Sequence, residues 1–134
     1  MKAPTVQARI QNRLERAHDA VCAAEVLMEN SRGNGAADRL FFACFYSITA
    51  LLLSLGLESQ KHSGVRMLFN RHFVRPGLIG KKYAEIYNRL FDYRQEEDYD
   101  GLIDATIGDV TEYVGDVKGL IAAPETLLSE YCNT

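Results

Sequence analysis

The sequence has 134 residues, 47% of them hydrophobic and 25% charged, which is the composition of one globular domain and excludes a disordered chain. The formal net charge of −3 argues neither for nor against a nucleic-acid partner. The three cysteines lack CxxC or Cys/His ligand spacing and no secretory signal is recognisable, so we expect a reduced, cytoplasmic protein without a structural metal.

The first predicted helix runs from about Val6 to Asn30. Thr5 can cap its N-terminus, and the turn residues Asn30-Ser31-Arg32-Gly33-Asn34-Gly35 end it. Six apolar residues recur at alternating steps of four and three, which is the spacing of one buried helix face. They are Ile10, Leu14, Ala17, Val21, Ala24 and Met28.

The second predicted helix, from about Ala36 to Leu55, is apolar nearly all round, and Gly56 is its natural C-terminal stop. The stretch from Leu40 to Leu57 is eighteen residues without a charge, which is the lower limit for a membrane span. Because the other segments are amphipathic and the sequence offers no second span, we predict a buried central helix and no membrane partner.

The third predicted helix starts near Ser63, a good cap, and ends at Pro76-Gly77. The fourth runs from about Gly80 to Tyr99. Its packing face is the stripe that begins with Tyr83 and broadens through neighbouring apolar residues.

The fifth segment carries apolar residues in the same rhythm through Ile121, and Pro124 is predicted to end it before a short terminal helix. Gly108, Gly115 and Gly119 each weaken an isolated helix by roughly 1 kcal/mol. We therefore expect close packing against another helix to compensate for these glycines.

No window of alternating residues predicts a strand. The prediction is an all-α fold, an antiparallel up-down helical bundle of four to five helices that forms a single domain over residues 1–134.

Charge is distributed unevenly along the chain. The segment from Ser59 to Ala84 holds six basic residues and no acidic one, whereas the remainder holds nine basic and eighteen acidic residues. Such a zone attracts phosphate, and the alternatives are a solvated face or a surface that docks on an acidic partner. The six residues are Lys61, Arg66, Arg71, Arg75, Lys81 and Lys82.

Arg94 continues the apolar stripe that Tyr83, Tyr87 and Leu90 define, and Asp98 lies four residues further on the same side. A charge on a packing face is costly unless it is paired or lies beside a polar cleft. We therefore predict a polar site in which Asp98 holds the Arg94 guanidinium towards a phosphate. A purely structural Arg–Asp pair at a helix end is the alternative.

Weaker candidates are also present. Lys61-His62-Ser63-Gly64 places a histidine beside a helix start, where it can meet an anion, although a loop histidine that only hydrogen-bonds backbone is the alternative. Glu15 and His18 have the spacing of half a di-iron site, but the sequence has no second such pair, so no metal is predicted. Arg66 and His72 lie about 120° apart on one helix and are not expected to converge.

Three blocks of the sequence follow one another in the order and spacing of a known family. They are Asp38–Tyr46 with Ala50–Leu57, Lys61–Val65 with Arg71–Val74, and Leu90–Tyr99. They resemble an uncharacterised prokaryotic branch of the HEPN (higher eukaryote and prokaryote nucleotide-binding) proteins. The resemblance covers roughly Arg9 to Val117.

The resemblance implies an up-down bundle, homodimers whose active-site elements meet near the interface, and pairing with a minimal nucleotidyltransferase in a toxin–antitoxin or defence module. Catalytic relatives are metal-independent ribonucleases whose Arg-x4–6-His motif acts on the scissile phosphate and the RNA 2′-hydroxyl. This sequence departs from that motif, because the matching positions after Arg94 are Tyr99, Asp100 and Gly101. The block Arg94-x3-Asp98-Tyr99 of this branch stands there instead.

We therefore predict a HEPN-type nucleotide- or RNA-associated domain that is dimeric, needs no cofactor and works with a nucleotidyltransferase. Two alternatives stay open: a divergent ribonuclease toxin, which needs Arg94 for RNA cleavage, and a non-catalytic helical adaptor, which only binds a partner chain. The candidate site residues are Arg94, Lys61 and Arg66 as anion contacts, Asp98 to orient Arg94, Tyr99 in the cleft, and His62 as a further catalytic candidate.

Overall fold

The computed structural model describes residues 5–30, 32–100 and 107–132, except the side chains of residues 33–34, 93–100, 107–109 and 128–132. Within that part the chain forms five α-helices and one π-helical turn, and it contains no strand. The predicted all-α fold is confirmed. The elements are α1 (Val6–Glu29), α2 (Gly33–Ser54), α3 (His62–Phe69), the π-helical turn (Asn70–Val74), α4 (Lys81–Asp100) and α5 (Ile107–Cys132).

The α1 helix begins and buries its apolar face as its sequence predicts. The Thr5 hydroxyl accepts a hydrogen bond from the Ala8 backbone N–H at 3.0 Å, which satisfies one of the open donors at the helix start. Five residues of the apolar stripe are buried, and Met28 packs against the core. The five are Ile10, Leu14, Ala17, Val21 and Ala24.

The α2 helix ends in a hydrogen-bonded motif that its glycine makes possible. Gly56 has φ 74°, a left-handed conformation that favours glycine. Its N–H donates to the Leu53 carbonyl at 3.0 Å, and the N–H of Leu57 donates to the Leu52 carbonyl at 2.9 Å. These two bonds form a Schellman motif, so the predicted stop at Gly56 is confirmed.

The α2 helix is the centre of the bundle, because it packs against α1, α3, α4 and α5. By length and composition the stretch Gly35–Ser54 is apolar enough to cross a membrane, but 67% of its most apolar window is buried inside the protein. The predicted burial of this helix against its neighbours is therefore confirmed.

Ion pairs between α1 and α5 show that these helices run antiparallel. His18 lies 2.6 Å from Glu125, whereas Glu25, seven residues later on α1, lies 2.9 Å from Lys118, seven residues earlier on α5. The short connection of residues 30–32 makes α1 and α2 an antiparallel hairpin. This geometry is the up-down bundle that the sequence predicts.

The α3 helix begins one residue earlier than predicted. Lys61 has extended backbone and its carbonyl accepts from the Val65 N–H at 3.1 Å, so Lys61 and not Ser63 is the N-cap residue. The predicted cap at Ser63 is therefore wrong. The preceding loop folds close to the helix, since a Cβ added at Gly64 would clash with the Ser59 hydroxyl oxygen.

After Phe69 the helix widens into the π-helical turn. The Arg75 N–H donates to the Asn70 carbonyl at 2.9 Å, a spacing of five residues, while Phe69 and Phe73 both stay buried. Gly77 then adopts φ 84°, and the predicted end of this segment at Pro76-Gly77 is confirmed.

The α5 helix continues through Pro124, which is buried inside it. The predicted stop at this proline, and the separate terminal helix after it, are therefore wrong. Packing explains the difference, because Ile121 is buried before the proline and Glu125 contacts His18 of α1 after it. These contacts hold the helix across the hydrogen bond that proline cannot donate.

The α4 and α5 helices approach closely at one glycine. A Cβ added at Gly119 would lie 2.8 Å from the Tyr83 hydroxyl oxygen, whereas one added at Gly115 would meet no atom within 4 Å. The Arg89 guanidinium donates to the Tyr113 hydroxyl at 3.2 Å. Close packing therefore accounts for Gly119 but not for Gly115, and the surroundings of Gly108 lie outside the described part of the chain.

Candidate anion-binding site

The α3 helix presents His62 in its first turn, against the aromatic face of α2. The imidazole stacks on Phe45, with ring centroids 4.8 Å apart and 29° between the planes. It also lies 5.6 Å from the ring of Phe41, one helical turn earlier on α2. Stacking on two flat rings restricts how the half-buried imidazole can turn.

Arg66 lies one turn after His62 on α3 and reaches the ring of Phe91 on α4. The central carbon of its guanidinium is 4.7 Å from the ring centroid, which is the geometry of a cation–π contact. The same Phe91 ring lies 6.4 Å from the His62 ring. Phe91 therefore places the two basic side chains of α3 beside the same segment of α4.

Three predicted site residues fall in the last two turns of α4. The backbone is helical at Arg94, Asp98 and Tyr99, but their side chains lie outside the described part of the structure. Arg94 follows Phe91 by three residues, which is less than one helical turn. The predicted ion pair and the predicted roles of these three residues stay predictions.

The residues that α3 brings together suit an anion more than a metal. Lys61 is exposed at the N-cap, His62 follows it, and Arg66 adds a planar guanidinium that can donate two parallel hydrogen bonds to a phosphate. An imidazole can accept or donate a proton near neutral pH. The cations can bind a phosphate and the imidazole can move a proton, which is chemistry that suits a phosphodiester.

The aromatic floor is the feature that sequence analysis missed. Phe41, Phe42, Phe45 and Tyr46 form two rows of rings on α2. From the sequence they were assigned to a buried helix and to a family block, but not to a site. The signal was present in the sequence, because four aromatic residues lie within six positions of one predicted helix. A pocket of about 80 Å³ adjoins the floor, lined in part by Arg13, Phe45, Thr49 and Ser59.

Two further arginines lie against the same aromatic face, on the α1 side. The Arg39 guanidinium lies 4.9 Å from the Phe42 ring and 3.1 Å from the Asp38 carboxylate. The Arg16 guanidinium lies 5.9 Å from the Tyr46 ring. Basic side chains therefore flank the aromatic residues of α2 on both sides.

The other candidates of the sequence have different surroundings. His18 pairs with Glu125, and Glu15 accepts a hydrogen bond from Gln11 at 3.4 Å. Among the described residues no group of three metal-ligating side chains occurs. Burial raises the pKa of the Cys44 thiol, so this group stays neutral inside the core.

Fold and site together define an up-down helical bundle that presents basic side chains over an aromatic floor. The family model for the HEPN domain matches residues 10–127, which is most of the chain. The chain therefore belongs to the HEPN family.

Relatives span most of the chain. A protein of Thermotoga maritima named "UPF0332 protein" is 36% identical over 115 residues, which are 86% of this chain and 87% of that protein. A protein of Methanocaldococcus jannaschii named "Putative toxin" is 35% identical over 94 residues, 70% of each chain. A second protein of that name and organism is 30% identical over 95 residues, 71% of this chain and 65% of the relative.

Proposed function

We propose that this chain is the toxin of a toxin–antitoxin module. It binds the phosphate of a nucleotide or an RNA at the face that α3 and α4 share. It acts in the cytoplasm as a homodimer, and a minimal nucleotidyltransferase is its partner. The HEPN match and the two relatives named as toxins support the toxin class. The basic and aromatic surroundings of His62 support the anion.

One observation carries the proposal: His62 and Arg66 of α3 both lie against Phe91 of α4. Arg94 follows Phe91 within one turn of the same helix, so its backbone lies next to the described site. In the proposed mode Arg94 and Arg66 contact the phosphate and Lys61 adds positive charge. Asp98 orients Arg94, and Tyr99 lines the cleft.

Binding tests the site directly. We expect Arg94→Ala to weaken binding of a fluorescently labelled oligonucleotide of single-stranded RNA by about tenfold or more, because a charge-assisted bidentate contact is lost. Arg66→Ala should weaken binding less, since its guanidinium also rests on a ring. Arg32→Ala is the matched control, because Arg32 is exposed at the start of α2, far along the bundle from His62. Equal affinity in all four proteins would refute the proposed site.

Ribonuclease activity is the second candidate function, and the position of His62 favours it. The imidazole lies 6.4 Å from the Phe91 ring, which precedes Arg94 by less than one turn, and this distance supports His62 of α3 as the histidine that the α4 motif lacks. We expect metal-independent cleavage of RNA in the presence of a chelator, reduced about 100-fold or more in His62→Ala and in Arg94→Ala. Binding without cleavage, and full growth inhibition by His62→Ala in cells, would exclude this function.

A helical adaptor makes different predictions. It should form a stable complex with the nucleotidyltransferase when the two are expressed together, and Arg94→Ala should change neither complex formation nor cell growth. Light scattering of the purified chain measures the dimer, and chromatography of the co-expressed pair measures the complex. Growth inhibition that depends on Arg94 and is relieved by the partner supports the toxin.

A further inference from the structure

The structure divides the basic zone of the sequence into two parts. Lys61 and Arg66 belong to the candidate site, where Arg66 contacts Phe91. The remaining four basic residues, Arg71, Arg75, Lys81 and Lys82, are all exposed on the π-helical turn, on the turn after it, and at the start of α4. We call this surface, together with Met67 and Leu78, the basic flank.

The basic flank is a continuous path along the chain. Met67, Arg71 and Arg75 follow one another at four-residue steps, which is about 12 Å along a helix. The segment then turns tightly, since the N–H groups of Leu78 and Ile79 both donate to the Phe73 carbonyl, at 2.9 and 3.0 Å. Three residues after Leu78 the two lysines open α4.

The cations of the basic flank lack described acidic partners. Among the described residues none of the four forms an ion pair with a carboxylate. This includes Lys81, although Glu85 lies four residues further along the same helix. Arg9, Arg39 and Lys118 each contact an acidic side chain, whereas Arg16 and Arg32 resemble the flank cations in having no described carboxylate partner. What distinguishes the flank is that four such cations follow one another within twelve positions, and no described carboxylate neutralises them.

The flank also exposes apolar side chains. Met67 is 59% and Leu78 is 49% exposed, and they are two of only five large apolar residues exposed to this degree in the described part of the chain. Methionine adapts its shape readily and is common on surfaces that receive varied partners.

We propose that the basic flank docks an acidic, amphipathic helical segment of a partner protein. Arg71 and Arg75 are spaced to meet carboxylates four residues apart on a helix, and Met67 and Leu78 offer contacts to its apolar side. Charge complementarity selects the acidic partner. This proposal does not rest on the proposed toxin function, because the flank contains neither His62 nor any residue of α4 beyond its first turn.

The exposed apolar residues favour a protein segment over a nucleic acid or a membrane. Single strands bind on exposed aromatic platforms, and no described Phe or Tyr side chain is exposed on this flank. A membrane needs a large apolar face to insert, but the apolar face of α3, with Val65 and Phe69, is buried in the core. Met67 and Leu78 are only partly exposed, which suits contacts to the apolar side of a bound helix.

Titration of the isotopically labelled full chain with a synthetic peptide tests the proposal. The probe is a twenty-residue amphipathic helix with Glu pairs four residues apart beside a Leu face, and its Glu→Gln counterpart is the control peptide. We expect the acidic peptide to shift the amide resonances of residues 67–82 and the neutral one to leave them unchanged. Raising the salt concentration to about 0.5 M should weaken this binding, since surface charges are then screened.

Matched variants separate the flank from general attraction to a positive surface. Arg71→Glu with Arg75→Glu should raise the dissociation constant of the acidic peptide by about tenfold or more, and Met67→Ser with Leu78→Ser by about threefold. Arg13→Glu with Arg16→Glu makes the same charge change on α1 and should alter it less than about twofold. The altered side chains are exposed except that of Arg13, which is half-buried, and thermal unfolding checks that each variant folds.

Three results would overturn the proposal. A single-stranded oligouridylate, or vesicles containing phosphatidylserine, could shift these amides while the acidic peptide does not, which would assign the flank to RNA or to a membrane. The control pair on α1 could weaken the peptide as much as the flank pair does. All probes could leave residues 67–82 unchanged, which would make the flank a solvated face.

Discussion

Replacing Gly119 with alanine tests the close approach of α4 and α5, and Gly115→Ala, one turn earlier on α5, is its matched control. Both changes remove a glycine from a helix interior, which alone stabilises the fold by about 0.5–1 kcal/mol. At Gly115 nothing opposes this gain, because the new Cβ meets no atom within 4 Å. We expect Gly115→Ala to raise the free energy of unfolding by that amount.

At Gly119 the new Cβ would lie 2.8 Å from the Tyr83 hydroxyl oxygen and 3.1 Å from its Cε1, so the ring must move. Such overpacking costs about 1–3 kcal/mol, which exceeds the gain in helix propensity. We expect Gly115→Ala to raise and Gly119→Ala to lower the free energy of unfolding, with a difference of about 1–3 kcal/mol between the two variants. Urea unfolding followed by circular dichroism at 222 nm measures both values.

A second change isolates the contact. Tyr83→Phe removes the nearest atom, so the Tyr83→Phe, Gly119→Ala double variant should recover part of the loss in a double-mutant cycle. Equal stabilisation by Gly115→Ala and Gly119→Ala would refute the reasoning, because it would mean that Tyr83 does not lie over Gly119.

Four further outcomes follow from the core and the site. Ser47→Ala should stabilise the protein by about 1 kcal/mol, because the buried Ser47 hydroxyl has no hydrogen-bond partner among the described residues; chemical unfolding measures it. Burial raises the pKa of the Cys44 thiol, so only the unfolded state ionises above about pH 8.5, and stability should fall by about 1.4 kcal/mol per pH unit there. Unfolding at pH 8 to 10 should show this slope, and Cys44→Ala should lack it. A thiol reagent should modify exposed Cys22 quickly and Cys44 only as fast as the protein unfolds. Phe45→Ala should broaden or shift the His62 ring resonances, because it removes the stacked ring.

Local chemistry accounts for the parts of the fold that the sequence predicted well. The bounds of α1 follow from the Thr5 cap, and the end of α2 follows from the positive φ of Gly56. Both signals act within a few residues, so they can be read without knowing the neighbouring helices.

The two wrong predictions, the helix stop at Pro124 and the cap at Ser63, concern positions where contacts with distant residues determine the local structure. A proline breaks an isolated helix, but packing against α1 keeps α5 helical on both sides of Pro124. The N-cap of α3 is Lys61, whose N–H donates to the Ser59 hydroxyl at 3.3 Å, and not Ser63. Sequence alone cannot weigh these tertiary contacts against local preference.

The candidate site, too, was predicted from the sequence only in part. The sequence singled out Lys61, His62 and Arg66 as types of residue, and the structure adds the Phe45 and Phe91 rings that position them. Rings seventeen or more residues away in the chain could not be assigned to His62 from spacing. The roles of the α4 motif residues stay predictions.

The Phe45 ring that stacks on His62 also allows ligand binding at the site to be monitored. The chain contains no tryptophan, so Phe45→Trp would install a single indole against the imidazole, and its emission can be excited selectively over that of the tyrosines. An anion that settles beside His62 alters the polarity around that indole. Fluorescence of this one reporter could therefore follow the binding of an anion at the site in real time.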